Sequence, residues 1–157
     1  MREELADGVR TFPDVAVNGL RFVNRQAGSG TRMLIEHLMH EHSIAPESWP
    51  GYADHVENTH VAVGLCVASG VADVGIGIEA AALQFGLHFV PLVEEDYFLA
   101  CRSDALHHPA VQRVREILAG PDWAAILKNL PGYRPATNPG ALLNVGQILS
   151  RRRRADR

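Results

Sequence analysis

Arg25, Ser29, Thr31 and Arg32 crowd one glycine-punctuated stretch, Arg21 to Glu41, which reads RFVNRQAGSGTRMLIEHLMHE. Hydroxyl and guanidinium groups donate hydrogen bonds, and the guanidinium adds positive charge, so the chemistry they can do together is to hold an oxyanion. Gly28 and Gly30 bracket Ser29, which lets the backbone bend sharply and approach a ligand closely. Thr31 is expected to cap the helix that follows. The first N–H groups of a helix lack intrahelical acceptors and carry partial positive charge, which suits an anion. A capped strand-to-helix turn with no ligand is the other reading, because turns often have this composition. A second helix start lies at Asn58–His60, where Asn58 or Thr59 is the cap. Two such starts facing one crevice make a stronger anion site than either alone, and a protonated His60 would assist near pH 6.5.

Other chemistries fit less well. Ser29 lacks the Gly-x-Ser-x-Gly setting of a hydrolase nucleophile, since Gln26 and Ala27 precede Gly28. No base or orienting acid can be assigned to it, and the chain is read as a non-enzyme. No Gly-Lys-Ser/Thr follows the glycines, which excludes a P-loop. His37 and His40 stand three apart on one helix and could share a metal, but they lack a third ligand and read as a solvated face. His107-His108 reads as a loop, and the acidic triplet Glu94-Glu95-Asp96 as a solvated turn. No cofactor is implied.

Around these residues, hydrophobic periodicity predicts strands alternating with helices. Phe22 and Val23 mark a first buried strand, followed by a helix over Thr31–His42. Tyr52–Val56 reads as a short strand, and Val61, Ala62, Leu65, Cys66 and Val67 as a helix. Val71–Ile78 reads as a strand covered on both faces, with Gly75 and Gly77 allowing close approach. A helix over Glu79–Phe85 precedes two further strands, His88–Val93 and Tyr97–Cys101. Pro109 opens a helix over Val111–Ala119, and Trp123–Leu130 forms the last. This pattern predicts an α/β fold with a mainly parallel sheet and helices on both faces, whose ligands bind at the carboxyl ends of the strands. The expected divisions are a lead-in at 1–20, an α/β ligand-binding domain at 21–96, a return segment of one strand and two helices at 97–143, and a flexible Arg-rich tail at 144–157.

At 157 residues, 46% hydrophobic and 21% charged, the chain has the composition of one globular domain. Its net charge is −3, yet the tail RRRRADR holds five arginines and one aspartate. The body is therefore acidic, and an anion must be held by local donors rather than by the overall field. The tail either touches an acidic partner or is simply solvated. No apolar run suits a membrane span, and MREELADGVR lacks a signal-peptide core, which points to the cytoplasm. Cys66 and Cys101, both in apolar segments, are expected to be buried free thiols.

The stretches NRQAGSGTR (Asn24–Arg32), PGY (Pro50–Tyr52), THVAV (Thr59–Val63), VASGVADVGIGIEAAA (Val67–Ala82), FVPLVEEDY (Phe89–Tyr97) and LPGY (Leu130–Tyr133) occur in this order. Together they resemble the substrate-binding-protein-like domain related to periplasmic molybdate-binding proteins, found in helix-turn-helix regulators and molybdopterin biosynthesis proteins. The resemblance covers about Leu20 to Gly140. It implies a type II periplasmic-binding-protein architecture, in which two α/β lobes hold an oxyanion between them. It places Ser29, Gly30, Thr31 and Arg32 in the anion loop, Thr59 and His60 at the second helix start, and Ile78 where molybdate-binding relatives carry a tyrosine hydroxyl. An isoleucine has no hydroxyl to donate, so this chain departs from them there. With few residues before Arg21, the chain corresponds to a second lobe plus the return segment, the first lobe being incomplete. The implied function is a molybdate- or tungstate-binding sensor with a DNA-binding or molybdopterin-biosynthesis partner. The alternatives are an interaction module completed by self-association or by a partner lobe, and an accessory subunit of molybdopterin biosynthesis. The uncovered apolar surface of the return segment predicts a homo-oligomer.

Overall fold

The structure is a computed structural model that describes residues 1–148. Residues 1–94 form one compact unit, and residues 95–148 belong to a second. The Arg run of the tail lies outside the described residues.

The first unit is built on β1 (Phe22–Arg25), flanked by β2 (Val56–Glu57) and β3 (Val74–Gly75) in the order β2-β1-β3. All pairings are parallel, with Asn24 opposite Val56, Arg25 opposite Glu57, and Phe22 opposite Val74. Each strand feeds a helix: α2 (Gly30–Glu41), α3 (His60–Ala68) and α4 (Glu79–Gln84). The short α1 (Phe12–Val17) precedes β1.

Side chains alternate across a strand, and β1 shows what that does here. Phe22 packs with Val9, Phe12, Val15, Ile35, Leu38, Met39, Trp49 and Tyr52 on the α1–α2 face. Val23 packs with Val63, Val67, Ala72 and Leu87 on the α3–α4 face. The sheet is thus covered on both faces, as the sequence pattern predicts for a parallel sheet. The first twenty residues do more than lead in, because Val9, Phe12 and Val15 are core residues. Gly75 permits helix-to-sheet packing: a Cβ there would meet Val63 Cγ1 at 2.6 Å and Val23 Cγ1 at 2.7 Å.

At the amino ends of the strands, Asp73 gathers a cluster. Its carboxylate accepts from the Arg21 main-chain N–H (2.9 Å), Arg21 Nε (3.0 Å) and Nη2 (2.8 Å), and from Arg2 Nη2 (2.8 Å). The Arg21 hydrogen bonds hold the Asp73 carboxyl below the usual carboxylate range, against its partial burial. A depressed folded-state pKa adds stability above the unfolded value, near 3.9, and loses it as pH falls through the folded value. We expect Asp73→Asn to lower stability by about 1–2 kcal/mol near neutral pH. The gap from wild type should shrink below about pH 4, as chemical denaturation across pH will measure.

Several expectations need correction. Neither His88–Val93 nor Tyr97–Cys101 is a strand. Strand composition makes no hydrogen bonds without a neighbouring ladder, and residues 91–101 are exposed throughout. The return segment therefore has its two helices, α5 (Pro109–Ala119) and α6 (Pro121–Lys128), but not its strand. Pro109 does open α5. The strands expected at Tyr52–Val56 and Val71–Ile78 shrink to β2 and β3, since only those residues reach β1 in register. Cys66 is half-buried and Cys101 is exposed; both are free. The Cys66 thiol donates to Glu57 Oε1 at 3.4 Å, and burial, then Glu57, pushes its pKa up.

Candidate functional site

The carboxyl ends of β1 and β2 lie side by side, with Arg25 opposite Glu57, and each runs within a few residues into a helix. After β1 the chain turns at Gly28, whose φ of 83° suits glycine, and Ser29 caps α2. The Ser29 hydroxyl accepts from the Arg32 N–H at 3.2 Å and donates to the Gln26 carbonyl at 3.0 Å. Thr31 is thus not the cap. The cap must precede the first helical residue with extended backbone, and the glycine turn puts Ser29 in that place. After β2, Thr59 caps α3, its Oγ1 accepting from the Ala62 N–H at 3.0 Å.

The two starts are alike in what they leave over. In α2 the cap bonds Arg32 and Met33, and in α3 it bonds Ala62 and Val63. The N–H groups of Gly30 and Thr31, and of His60 and Val61, have no backbone acceptor among the described residues. The Thr59 hydroxyl still has its own hydrogen to donate, whereas that of Ser29 is engaged with Gln26.

The charge of the site comes from Arg25. It follows Val23 on the α3 face of β1 and is 6% exposed. Nε donates to the Glu57 carbonyl (3.2 Å) and Nη2 to the Asn58 carbonyl (3.2 Å), while Nη1 stands 3.0 Å from His60 Nδ1 and 3.3 Å from Nε2. Among the described residues no carboxylate pairs with it, so a buried cation is held only by neutral acceptors, an expensive arrangement unless an anion completes it. His60 is half-buried, and burial, then the Arg25 charge, lowers its pKa below the ordinary histidine value.

Arg32 behaves differently. Its Nε donates to Glu36 Oε1 at 2.7 Å, its Nη1 reaches the Arg25 carbonyl at 3.3 Å, and its guanidinium stands 4.6 Å over the Tyr52 ring. Its charge is matched there, and it braces the loop. Ile78 is the residue before α4, in extended conformation, with no side-chain hydrogen bond at that cap. Gly77, beside it, approaches the His60 ring. The structure therefore brings Thr59 and His60 together with Arg25, which the sequence offered beside Arg32 as one of two loop cations without separating their roles. The missed signal was the two-residue alternation that puts Arg25 on the same face as Val23. Among the described residues no cluster of histidine, cysteine and carboxylate side chains could hold a metal, and no helix is long and apolar enough to cross a membrane.

Among known proteins, the chain is 33% identical over 125 residues to "Uncharacterized protein YvgK" of Bacillus subtilis (strain 168), a match covering 80% of this chain and 40% of the relative. It is also 33% identical over 101 residues to "Uncharacterized protein in ferredoxin 2Fe-2S gene 5'region" of Clostridium pasteurianum, covering 61% of this chain and 88% of that one. The chain thus spans less than half the length of the first relative and most of the second. No solved structure matches. The PBP superfamily domain matches residues 1–119, most of the chain and all three strand-to-helix units, and the chain belongs to that superfamily.

Proposed function

We propose that the chain binds a small oxyanion, of the molybdate or tungstate kind, without catalysing a reaction. The observation that carries the reading is Arg25: a buried guanidinium with no carboxylate partner among the described residues, lying against the start of α3, whose first N–H groups have no backbone acceptor there. The donors are the N–H groups of Gly30, Thr31, His60 and Val61, the hydroxyls of Thr31 and Thr59, and Arg25. Ile78 contributes an apolar wall. Binding in turn signals to an attached DNA-binding or molybdopterin-biosynthesis partner, as the resemblance implies, in the cytoplasm.

A thermal-shift titration with molybdate, tungstate, sulfate and phosphate at fixed ionic strength tests this. A ligand that binds only the folded state adds about 2.7 kcal/mol at one hundred times its dissociation constant. A shift with molybdate or tungstate supports the reading, and no shift with any of the four refutes it. The double variant Ser29→Ala/Thr31→Ala separates two roles. Losing the Ser29 cap should cost about 1 kcal/mol without ligand, and losing the Thr31 hydroxyl should also weaken anion binding. Unchanged affinity would remove Thr31 from the site.

A second reading, an interaction module, is favoured by a different feature. Leu92, Val93, Tyr97, Phe98 and Leu99 are 40–75% exposed in one run. Such a run calls for a covering partner or a second copy. Sedimentation equilibrium distinguishes the cases: a monomer that binds no protein partner rejects this reading.

A further inference from the structure

Arg25 Nη1 stands 3.0 Å from one His60 ring nitrogen and 3.3 Å from the other. A guanidinium has only donors, so the ring must supply an acceptor, and only a neutral imidazole has one. Protonating His60 with no anion bound would leave two donors and two positive charges face to face. An anion that accepts a hydrogen bond from each group makes the doubly charged pair favourable, because each cation then has an acceptor of opposite charge. We propose that Arg25 and His60 form a two-cation clamp that selects a doubly charged tetrahedral oxyanion and takes up one proton as it binds. The inference rests on the oxyanion reading above and specifies the charge and proton stoichiometry of its ligand.

The surroundings leave this role to the pair. From β1 the charged group facing His60 is Arg25. From β2, Glu57 turns its carbonyl to Arg25 and its carboxylate to Cys66. From the segment before α4, Gly77 brings only main chain. Glu79 opens α4, and Arg32 of α2 reaches Arg25 only through the Arg25 carbonyl. Among the described residues, neither Glu57 nor Glu79 forms an ion pair with Arg25 or His60. Burial and Arg25 keep His60 neutral above pH 6.5, and a bound dianion raises its pKa. By linkage, uptake of one proton makes affinity fall about tenfold per pH unit between the free and bound values.

Tungstate and perrhenate are tetrahedral oxyanions of similar size that differ by one charge. Calorimetric titration of the full chain with each, from pH 6.5 to 8.5 at fixed ionic strength, tests the clamp. Tungstate affinity should fall about tenfold per pH unit over at least part of this range, while perrhenate should bind more weakly and without pH dependence. His60→Gln should make tungstate binding pH-independent. Tungstate binding that is flat in the wild type, or equally steep in His60→Gln, overturns the clamp and leaves the oxyanion site standing. If none of tungstate, molybdate, sulfate and phosphate binds at any pH, both the site and the clamp are overturned. Should His60→Gln fail to fold, the contrast between tungstate and perrhenate in the wild type decides alone.

Discussion

Arg25→Met should abolish the thermal shift produced by tungstate or molybdate while leaving the chain folded. Arg25 is the site's buried guanidinium and has no carboxylate partner among the described residues, and removing one member of a desolvated charge pair costs about 2–5 kcal/mol of binding. Taking about 3 kcal/mol, the dissociation constant rises roughly a hundredfold. Stability should move much less, because two opposing terms change together. The Glu57 and Asn58 carbonyls lose their donors, which destabilises. The cost of burying an uncompensated cation disappears, which stabilises. Arg32→Met is the contrasting variant. Its guanidinium is matched by Glu36 and stacked on Tyr52, so it should lose some stability and keep its anion affinity. If Arg32→Met lost binding and Arg25→Met kept it, the site would have to be redrawn around the loop cation.

That contrast marks how far the sequence could be read. The strand, glycine turn and helix of Arg21–Glu41 are legible because apolar period, turn glycines and capping residues coincide in one stretch. The same agreement located α3 and left its cap between Asn58 and Thr59, of which Thr59 is the one that caps it. The cap expected at Thr31 falls two residues earlier, at Ser29, a shift that composition does not reveal because both residues cap well. It is decided by where the positive φ of Gly28 ends the turn. Arg25 and Arg32 differ in fate through long-range partners, Asn58 and His60 for one and Tyr52 for the other. Spacing within the loop says nothing about these. Asp73 and Arg21 stand 52 residues apart and meet only because β1 and β3 pair. His88–Val93 and Tyr97–Cys101 show the opposite failure: their side chains suit strands, but a strand also requires a neighbour's hydrogen bonds.

Gly51→Ala should be strongly destabilising, and the reason explains the Pro50-Gly51-Tyr52 motif. This tripeptide clamps β1 by its backbone. The Pro50 carbonyl accepts from the Phe22 N–H at 2.8 Å, and the Tyr52 carbonyl accepts from the Asn24 side-chain amide at 2.9 Å. To fit between them, Gly51 takes φ 81° and lies so close to β1 that a Cβ would meet the Phe22 carbonyl oxygen at 2.6 Å. Backbone of a buried central strand has little room to yield. Strain at positive φ costs about 1–2 kcal/mol, and overpacking adds about 1–3. A total near 3 kcal/mol lowers the melting temperature by about 6–12 °C in a chain of this size. Gly70→Ala separates the two terms, because Gly70 has φ 76° with no atom within 4 Å of the added Cβ. It should show the strain alone, about 1–2 kcal/mol. Equal losses at Gly51 and Gly70 in denaturant melts would mean that β1 accommodates the methyl group. A larger loss at Gly51 means that the turn holds β1, and with it Arg25, by direct contact.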